Sequence, residues 1–362
     1  MARPGPMIYS RIGVLSRRTQ GMRFATGRFI ANVASSWFLL LILIGCTRDD
    51  RKSASREARL VHVGQRIFND ARLGADGRTS CATCHVPRLA FTDGRAVSAG
   101  AFGRLGTRNA PSLIGVADRG PQFWDGREST LARAVMQPFG NPREMGDDSL
   151  APALLRIAAQ ADYREAFGEH VEEGDVAAAL TAYLQSLDDA SSPFERAHRA
   201  GDFAALGEEA ARGLRLFQGK AQCAGCHVPN GGHNAFSDGR YHHASVGFAR
   251  IAGHIRALHR RVEKAHQAGE PIGPLVLADA DVAELGRFAV TADPRDLGAF
   301  RTPSLRNVAR TAPYMHDGSI QTLEAAIEHE LYYRGLASGQ PIKLTVEEQR
   351  ELAAFLRTLS TP

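Results

Sequence analysis

No acidic residue occurs among the first 45 positions, which carry six arginines instead (Arg3, Arg11, Arg17, Arg18, Arg23 and Arg28). The net charge of +5 is therefore misleading. Taking those six from the 44 Lys and Arg leaves 38 basic residues against 39 acidic ones, a net of −1. A near-neutral body has no electrostatic case for nucleic acid as a partner. There is also no apolar run long enough to cross a bilayer: WFLLLILI, Trp37 to Ile44, falls far short of the roughly 20 residues a helix needs. Disorder is excluded by 44% hydrophobic and 23% charged residues. Beyond the leader, tryptophan is reduced to Trp124 and methionine to Met136, Met145 and Met315. Histidine is missing from the whole stretch between His85 and His170. Cysteine is scarce as well, with five in 362 residues.

The basic stretch, the short apolar run and the ending Leu43-Ile44-Gly45-Cys46 resemble a bacterial lipoprotein signal, in which the cysteine is lipidated and becomes the new N-terminus. An ordinary secretory signal, or a short anchor helix, would use the same features. Thr47 stands where an aspartate retains sorted lipoproteins in the inner membrane. The expectation is a leader over 1–45, a tether over 46–58 and a periplasmic protein held to the outer membrane by lipid on Cys46, its one membrane contact. Because 45 residues is long for a signal, Met22 is an alternative start.

The other four cysteines stand in two C-x-x-C-H motifs, CATCH at 81–85 and CAGCH at 223–227. An oxidising compartment favours disulfides, but C-x-x-C-H is the attachment site of c-type haem. The two thiols add to the porphyrin vinyl groups, and the adjacent histidine ligates the iron from the proximal side. A four-cysteine zinc site usually keeps its pairs about 15–20 residues apart; here 138 residues separate Cys84 from Cys223. Cys81, Cys84, His85, Cys223, Cys226 and His227 are the candidate haem-binding residues, with His85 and His227 on the irons.

The repeat extends beyond the motifs. Gly64-Gln65-Arg66-Ile67-Phe68 matches Gly213-Leu214-Arg215-Leu216-Phe217, and Ala90–Arg95 (AFTDGR) matches Ala235–Arg240 (AFSDGR). Each copy closes on one helix, LTAYLQSL (Leu180–Leu187) and LAAFLRTL (Leu352–Leu359). Leu352, Phe355, Leu356 and Leu359 fall at i, i+3, i+4 and i+7, a single buried stripe, and Thr345 with Glu348 predicts a capping box ahead of it. The chain therefore reads as all-α, with two tandem cytochrome c-like domains, each carrying one covalent haem. The first spans 59–190 and the second 203–362. The polar, turn-rich stretch DDASSPFERAHRAGD (Asp188–Asp202) supplies the linker, 191–202.

GQRIFNDARLGADGRTSCATCH, RNAPSLIGVADRGPQFWDGR, NPREMG and FRTPSLRNVARTAPYMHDGS resemble the dihaem cytochrome c peroxidase and MauG superfamily over Leu60 to Leu359. The resemblance implies a peroxidatic N-terminal haem with an open distal side for hydrogen peroxide. It implies that Glu144, in the P-x-E-M-G motif, moves protons above that iron. O–O heterolysis needs such a group to carry a proton from the near oxygen to the leaving one. A glutamine usual four residues before Pro138 is Ala134 here. Activatable members block the peroxidatic iron with a histidine from the loop that here has none. The first haem is thus expected to be open from the start, as in MauG and the constitutively active peroxidases.

The resemblance makes the second haem a closed electron relay whose distal ligand is methionine in peroxidases and tyrosine in MauG, a choice that sets potential. Counting 14 residues from His316 reaches Glu330, whereas aligning LYYRG with the MauG-like pattern selects Tyr332 and implies a two-residue insertion. Tyr332 is the favoured reading, with His329 and Met315 as further candidates. Trp124, 39 residues past His85, matches a tryptophan placed between the haems, a candidate electron relay. A Ca²⁺ site is implied at Asn109, Thr311 and Pro313, oxygen ligands that suit a hard cation. The segment Ile251–Gln267 reads as an amphipathic basic helix; its His254, His259 and His266 read as part of a solvated face.

Three functions compete: a peroxidase reducing hydrogen peroxide to water, a MauG-like oxidase of a protein or peptide partner, and a dihaem electron carrier. The first takes electrons from a small redox protein such as a monohaem cytochrome c or a cupredoxin. Glu144 and the missing sixth ligand at the first haem speak against the carrier.

Overall fold

A helix over 53–69 (α1) crosses α2 (Glu173–Gln185) at Gly64. Gly64 packs directly on the Ala179 carbonyl, and an added Cβ would lie 2.9 Å from that of Tyr183. After α3 (Pro193–Ala200), the second half repeats the arrangement with α4 (Glu208–Gln218), which crosses its C-terminal helix at Gly213. Gly213 packs on the Glu351 carbonyl, with the Phe355 Cβ 2.8 Å from where its own would be. The matched glycines are thus the close-approach points of two equivalent helix pairs, positions where any side chain would force the helices apart.

A computed structural model of the protein describes residues 53–118, 120–187, 191–229, 236–243 and 246–361. The leader, Cys46 and the first part of the tether lie outside the described residues; the last part of the tether, from 53, is helical. No helix among the described residues is long and apolar enough to cross a membrane. Residues 54–362 form one compact unit.

Between α4 and the C-terminus come β1 (Tyr241–His243), α5 (Ile255–Ala268), α6 (Ile272–Ala278) and β2 (Ala299–Arg301), then α7 (Leu323–Ser338) and α8 (Val346–Arg357). The strands pair antiparallel, Tyr241 opposite Arg301, a small departure from an all-α reading. Three apolar cores result. Ile67, Phe68, Leu73, Phe139, Ile157 and Leu180 centre the first. The second is built on Phe194, Phe217, Phe236 and Phe355, with Phe217 and Phe355 edge to face at 5.1 Å. Ile251, Leu258, Val262, Val276 and Phe288 make a third, inside the segment that joins the strands.

The C-terminal stripe is as expected: Leu352, Phe355, Leu356 and Leu359 are buried, and Thr345 and Glu348 form the capping box. The linker differs. Pro193–Ala200 is a helix, started by a Ser192–Glu195 capping box with proline at its first position, where the missing N–H costs nothing. Phe194 enters the second core, and Glu195 pairs with buried Arg306 at 2.8 Å. One apolar anchor and one buried ion pair in a polar stretch are too few for periodicity to reveal. In α5, Leu258, Val262 and Ala265 are buried, and its histidines find separate partners: His254 on Asp281, His259 on Glu263 and His266 on the Ala289 carbonyl.

The third-core segment holds the loop of residues 107–127 in place. Thr107 donates to the Val276 carbonyl at 3.0 Å, Arg108 to the Ala283 carbonyl at 2.7 Å and Arg287 to the Asp125 and Gly126 carbonyls. Gly126, at φ +66°, leaves no room for a side chain beside Tyr241.

Candidate functional site

Cys81–Cys84 form one helical turn, and the His85 N–H donates to the Cys81 carbonyl at 2.9 Å. The chain then passes through two left-handed residues, Ala90 and Phe91. That turn aims the Phe91 carbonyl at His85 Nδ1, 2.9 Å away. The second motif repeats each contact: His227 N–H to the Cys223 carbonyl at 2.9 Å, left-handed Phe236, and His227 Nδ1 to the Phe236 carbonyl at 2.9 Å. A carbonyl partner puts the proton on Nδ1 and leaves Nε2 with a free lone pair, the state that ligates a metal. Burial pushes both imidazoles below their ordinary pKa, keeping them neutral.

Each motif faces its own cavity. One of about 200 Å³ is lined by Cys81, Cys84 and His85, the other, about 240 Å³, by Cys223, Cys226 and His227. The cysteine pairs thus do not converge on one ion. All four are free; burial pushes Cys81 and Cys223 to about 12 and Cys84 to about 11, so they are neutral thiols. Two thiols and the motif imidazole, held neutral on the wall of a mostly apolar cavity, fit a haem, and they do so twice; His242 and His316 also line the second cavity.

The first cavity also receives Glu144. Its loop is tied by backbone bonds from Glu144 to Asn141 and from Met145 to Pro138. Glu144 Oε2 is buried without a hydrogen-bond partner. Burial raises the Glu144 pKa, and Arg127 and Asn141 oppose that rise. Ala134 lies on the same wall, at the place where the resemblance implied glutamine. Arg127 stands in the wall too, stacked 3.6 Å from the Phe123 ring centre. It shares Asp125 with Arg108, at 3.1 and 2.8 Å. Burial acts to raise the Asp125 pKa, but the two guanidinium groups outweigh it and hold the carboxyl below its ordinary value.

Trp124 lines both cavities, and its indole N–H donates to the Asn109 carbonyl at 3.0 Å. Asn109, Thr311 and Pro313 all line the second cavity. The Asn109 amide nitrogen donates to the Arg95 carbonyl at 2.8 Å, which leaves its oxygen to accept or ligate.

The family model for di-haem cytochrome c peroxidase matches residues 58–202. Cytochrome-c peroxidase IdrP1 of Denitromonas iodatirespirans is 35% identical over 317 residues, which cover 83% of this chain and 81% of that protein. The chain belongs to the di-haem cytochrome c peroxidase family, whose members are oxidoreductases. Methylamine utilization protein MauG of Methylorubrum extorquens is 33% identical over 313 residues, 83% of this chain and 77% of that protein. Among solved structures, a MauG-like protein associated with microbial copper homeostasis superposes with a TM-score of 0.65 at 32% identity, covering 83% of this chain and 89% of that one.

Within this di-haem fold the second cavity corrects one expectation. Helix α7 turns Leu323, Ala326, Ile327, Glu330, Leu331 and Arg334 onto the cavity wall, one stripe at helical spacing. Tyr332, two residues past Glu330 and so about 200° around the helix, is 61% exposed and lines nothing there. His329 instead packs against Tyr333, ring centres 4.4 Å apart and tilted by 42°. Of the four candidate distal ligands, Met315 and Glu330 reach the wall, and Glu330 is paired with Arg334 at 3.1 Å. The helix is regular through this stretch, so the two-residue insertion that selected Tyr332 is not accommodated as a bulge.

The sequence reading missed the arginines. Arg108, Arg127, Arg143 and Arg301 all line the first cavity. The only signal was their place inside the RNAPSL, FWDGR, NPREMG and FRTPSL stretches; among 44 Lys and Arg, nothing local marks the few that a fold turns inward.

Proposed function

We propose that this protein is a periplasmic dihaem peroxidase, built as two cytochrome c-like domains with one covalent haem each, that reduces hydrogen peroxide to water at the first site. The observation that carries the reading is the first cavity itself. Among the described residues His85 is the sole imidazole in its wall, and Glu144 presents a buried carboxylate oxygen without a hydrogen-bond partner. Bound there, the haem supplies the redox chemistry. Glu144 accepts a proton from one peroxide oxygen and returns it to the departing one. The apolar walls exclude water, and Arg127 favours the ionised form of Glu144. Two electrons and two protons convert one peroxide to two waters. The electrons enter singly from a small redox protein, a monohaem cytochrome c or a cupredoxin, through the second site and across Trp124. A calcium ion at Asn109, Thr311 and Pro313 would brace the partition between the cavities with neutral oxygen donors. The lipid on Cys46 would hold the enzyme to the outer membrane.

A second reading, a MauG-like oxidation of a protein partner, is favoured by one feature: the stretch between His85 and His170, where a gating histidine would lie, has none. Supplying peroxide with either a reduced small cytochrome or a candidate protein substrate separates the two by which one is consumed.

The purified protein should carry two covalent haems, retained in acid-acetone. As isolated and ferric, it should contain a high-spin haem that reacts with peroxide without prior reduction. One haem by mass, or an all-low-spin resonance spectrum that converts only after partial reduction, contradicts the proposal. For the second site, Tyr332→Phe should leave the haem spectrum unchanged. Met315→Leu or Glu330→Gln should alter it, because of the four candidates only those two reach that cavity. A spectrum that changes only in the Tyr332 variant would restore tyrosine ligation.

A further inference from the structure

Arg301 is a buried cation with no anion beside it among the described residues. The residue is 8% exposed, and it lines both cavities. Its backbone N–H donates to the Trp124 carbonyl at 2.8 Å, and its Nε reaches the Phe123 carbonyl at 3.4 Å. No carboxylate among the described residues pairs with it, and the single charge-bearing neighbour acting on it is the Tyr241 phenol. The other buried arginines differ: Arg108 and Arg127 share Asp125, and Arg306 holds Glu195.

Taking a guanidinium out of water without a counter-charge is strongly unfavourable, and proteins keep such a group where an anion completes it. Arg301 lines both cavities, so an anion held in either of them can complete it. The planar fork of arginine matches a carboxylate in two-point geometry. A haem carries two propionate carboxylates and no other anionic group of that shape.

We propose that Arg301 is the counter-cation for haem propionate at the partition between the two cavities, and that its charge sets the reduction potentials on the two sides of Trp124. The proposal rests on the two-haem reading and not on peroxide as substrate. A fixed positive charge stabilises the more electron-rich state of each neighbouring centre. It therefore favours the ferrous over the ferric form and disfavours an electron hole dwelling on Trp124. Arg301 is a positioning residue in this role; it need touch no reacting atom.

The test is spectroelectrochemical titration of the intact dihaem protein carrying Arg301→Gln, Arg301→Lys or, should the Gln variant not accumulate, Arg301→Met. The midpoint potential of at least one haem should fall in the Gln or Met variant and stay near wild type in the Lys variant, which keeps the charge. Unchanged potentials at both haems, with full haem content, would overturn the proposal. So would a Lys variant that shifts as far as Gln, since the effect would then be packing and not charge. Haem content other than two per chain in the wild-type protein would instead remove the underlying two-haem reading, a separate and recognisable outcome.

Discussion

Glu144→Gln should leave both haems attached and slow peroxide cleavage by about 10²–10⁴-fold, the usual worth of a positioned acid–base group. Gln keeps the size and one oxygen of Glu but cannot accept and return a proton. The pH profile carries the same information. Burial raises the Glu144 pKa, so the ionised, proton-accepting form accumulates only as pH climbs past a value above that of an ordinary carboxyl. The wild-type rate should rise through that pH and level off. The limb should vanish in the Gln variant. Arg127 opposes the rise in pKa, so removing its charge in Arg127→Gln should push the limb to higher pH. Stopped-flow mixing with peroxide across pH measures all three. A Glu144→Gln rate equal to wild type would remove this residue from the mechanism.

Trp124→Phe should fail later. Trp124 is the one indole in the described residues, and it lines both cavities, with its N–H held by the Asn109 carbonyl. Phenylalanine keeps an aromatic ring in that wall but is much harder to oxidise by one electron and cannot make that hydrogen bond. Folding, haem content and the first optical change that peroxide produces should stay normal. Electron exchange with the second site should slow markedly, and steady turnover with it. Should the second haem be oxidised at the wild-type rate in this variant, the electron path lies elsewhere and Trp124 only packs.

These two residues could be named before any coordinates because the stretches around them, FWDGR and NPREMG, are specific strings. The haem-binding residues were legible for a different reason. Attachment needs two thiols and an imidazole within five consecutive residues, so the chemistry is local and sequence spacing alone expresses it. The doubled motif, the matched Gly64 and Gly213, and the final helix with its Thr345–Glu348 cap follow from the same locality. Helical periodicity and close helix approach leave marks a few residues long.

What only the tertiary structure decided was everything that depends on which way a side chain faces across long separations. Tyr332 and Glu330 stand two residues apart on one helix; rotation by about 200° puts Glu330 on the cavity wall and leaves Tyr332 exposed. The helix at Pro193–Ala200 needed Phe194 to find Phe236 and Phe355, 42 and 161 residues away, and Glu195 to find Arg306, 111 residues away. Arg301 reads in the sequence as one cation among many. Only the pairing of β2 with β1 and its bond to Trp124 place it between two cavities with no carboxylate of the described residues beside it. Charge and identity are written along the chain, but desolvation and the absence of a partner are properties of the surroundings, and those exist only once the chain has folded.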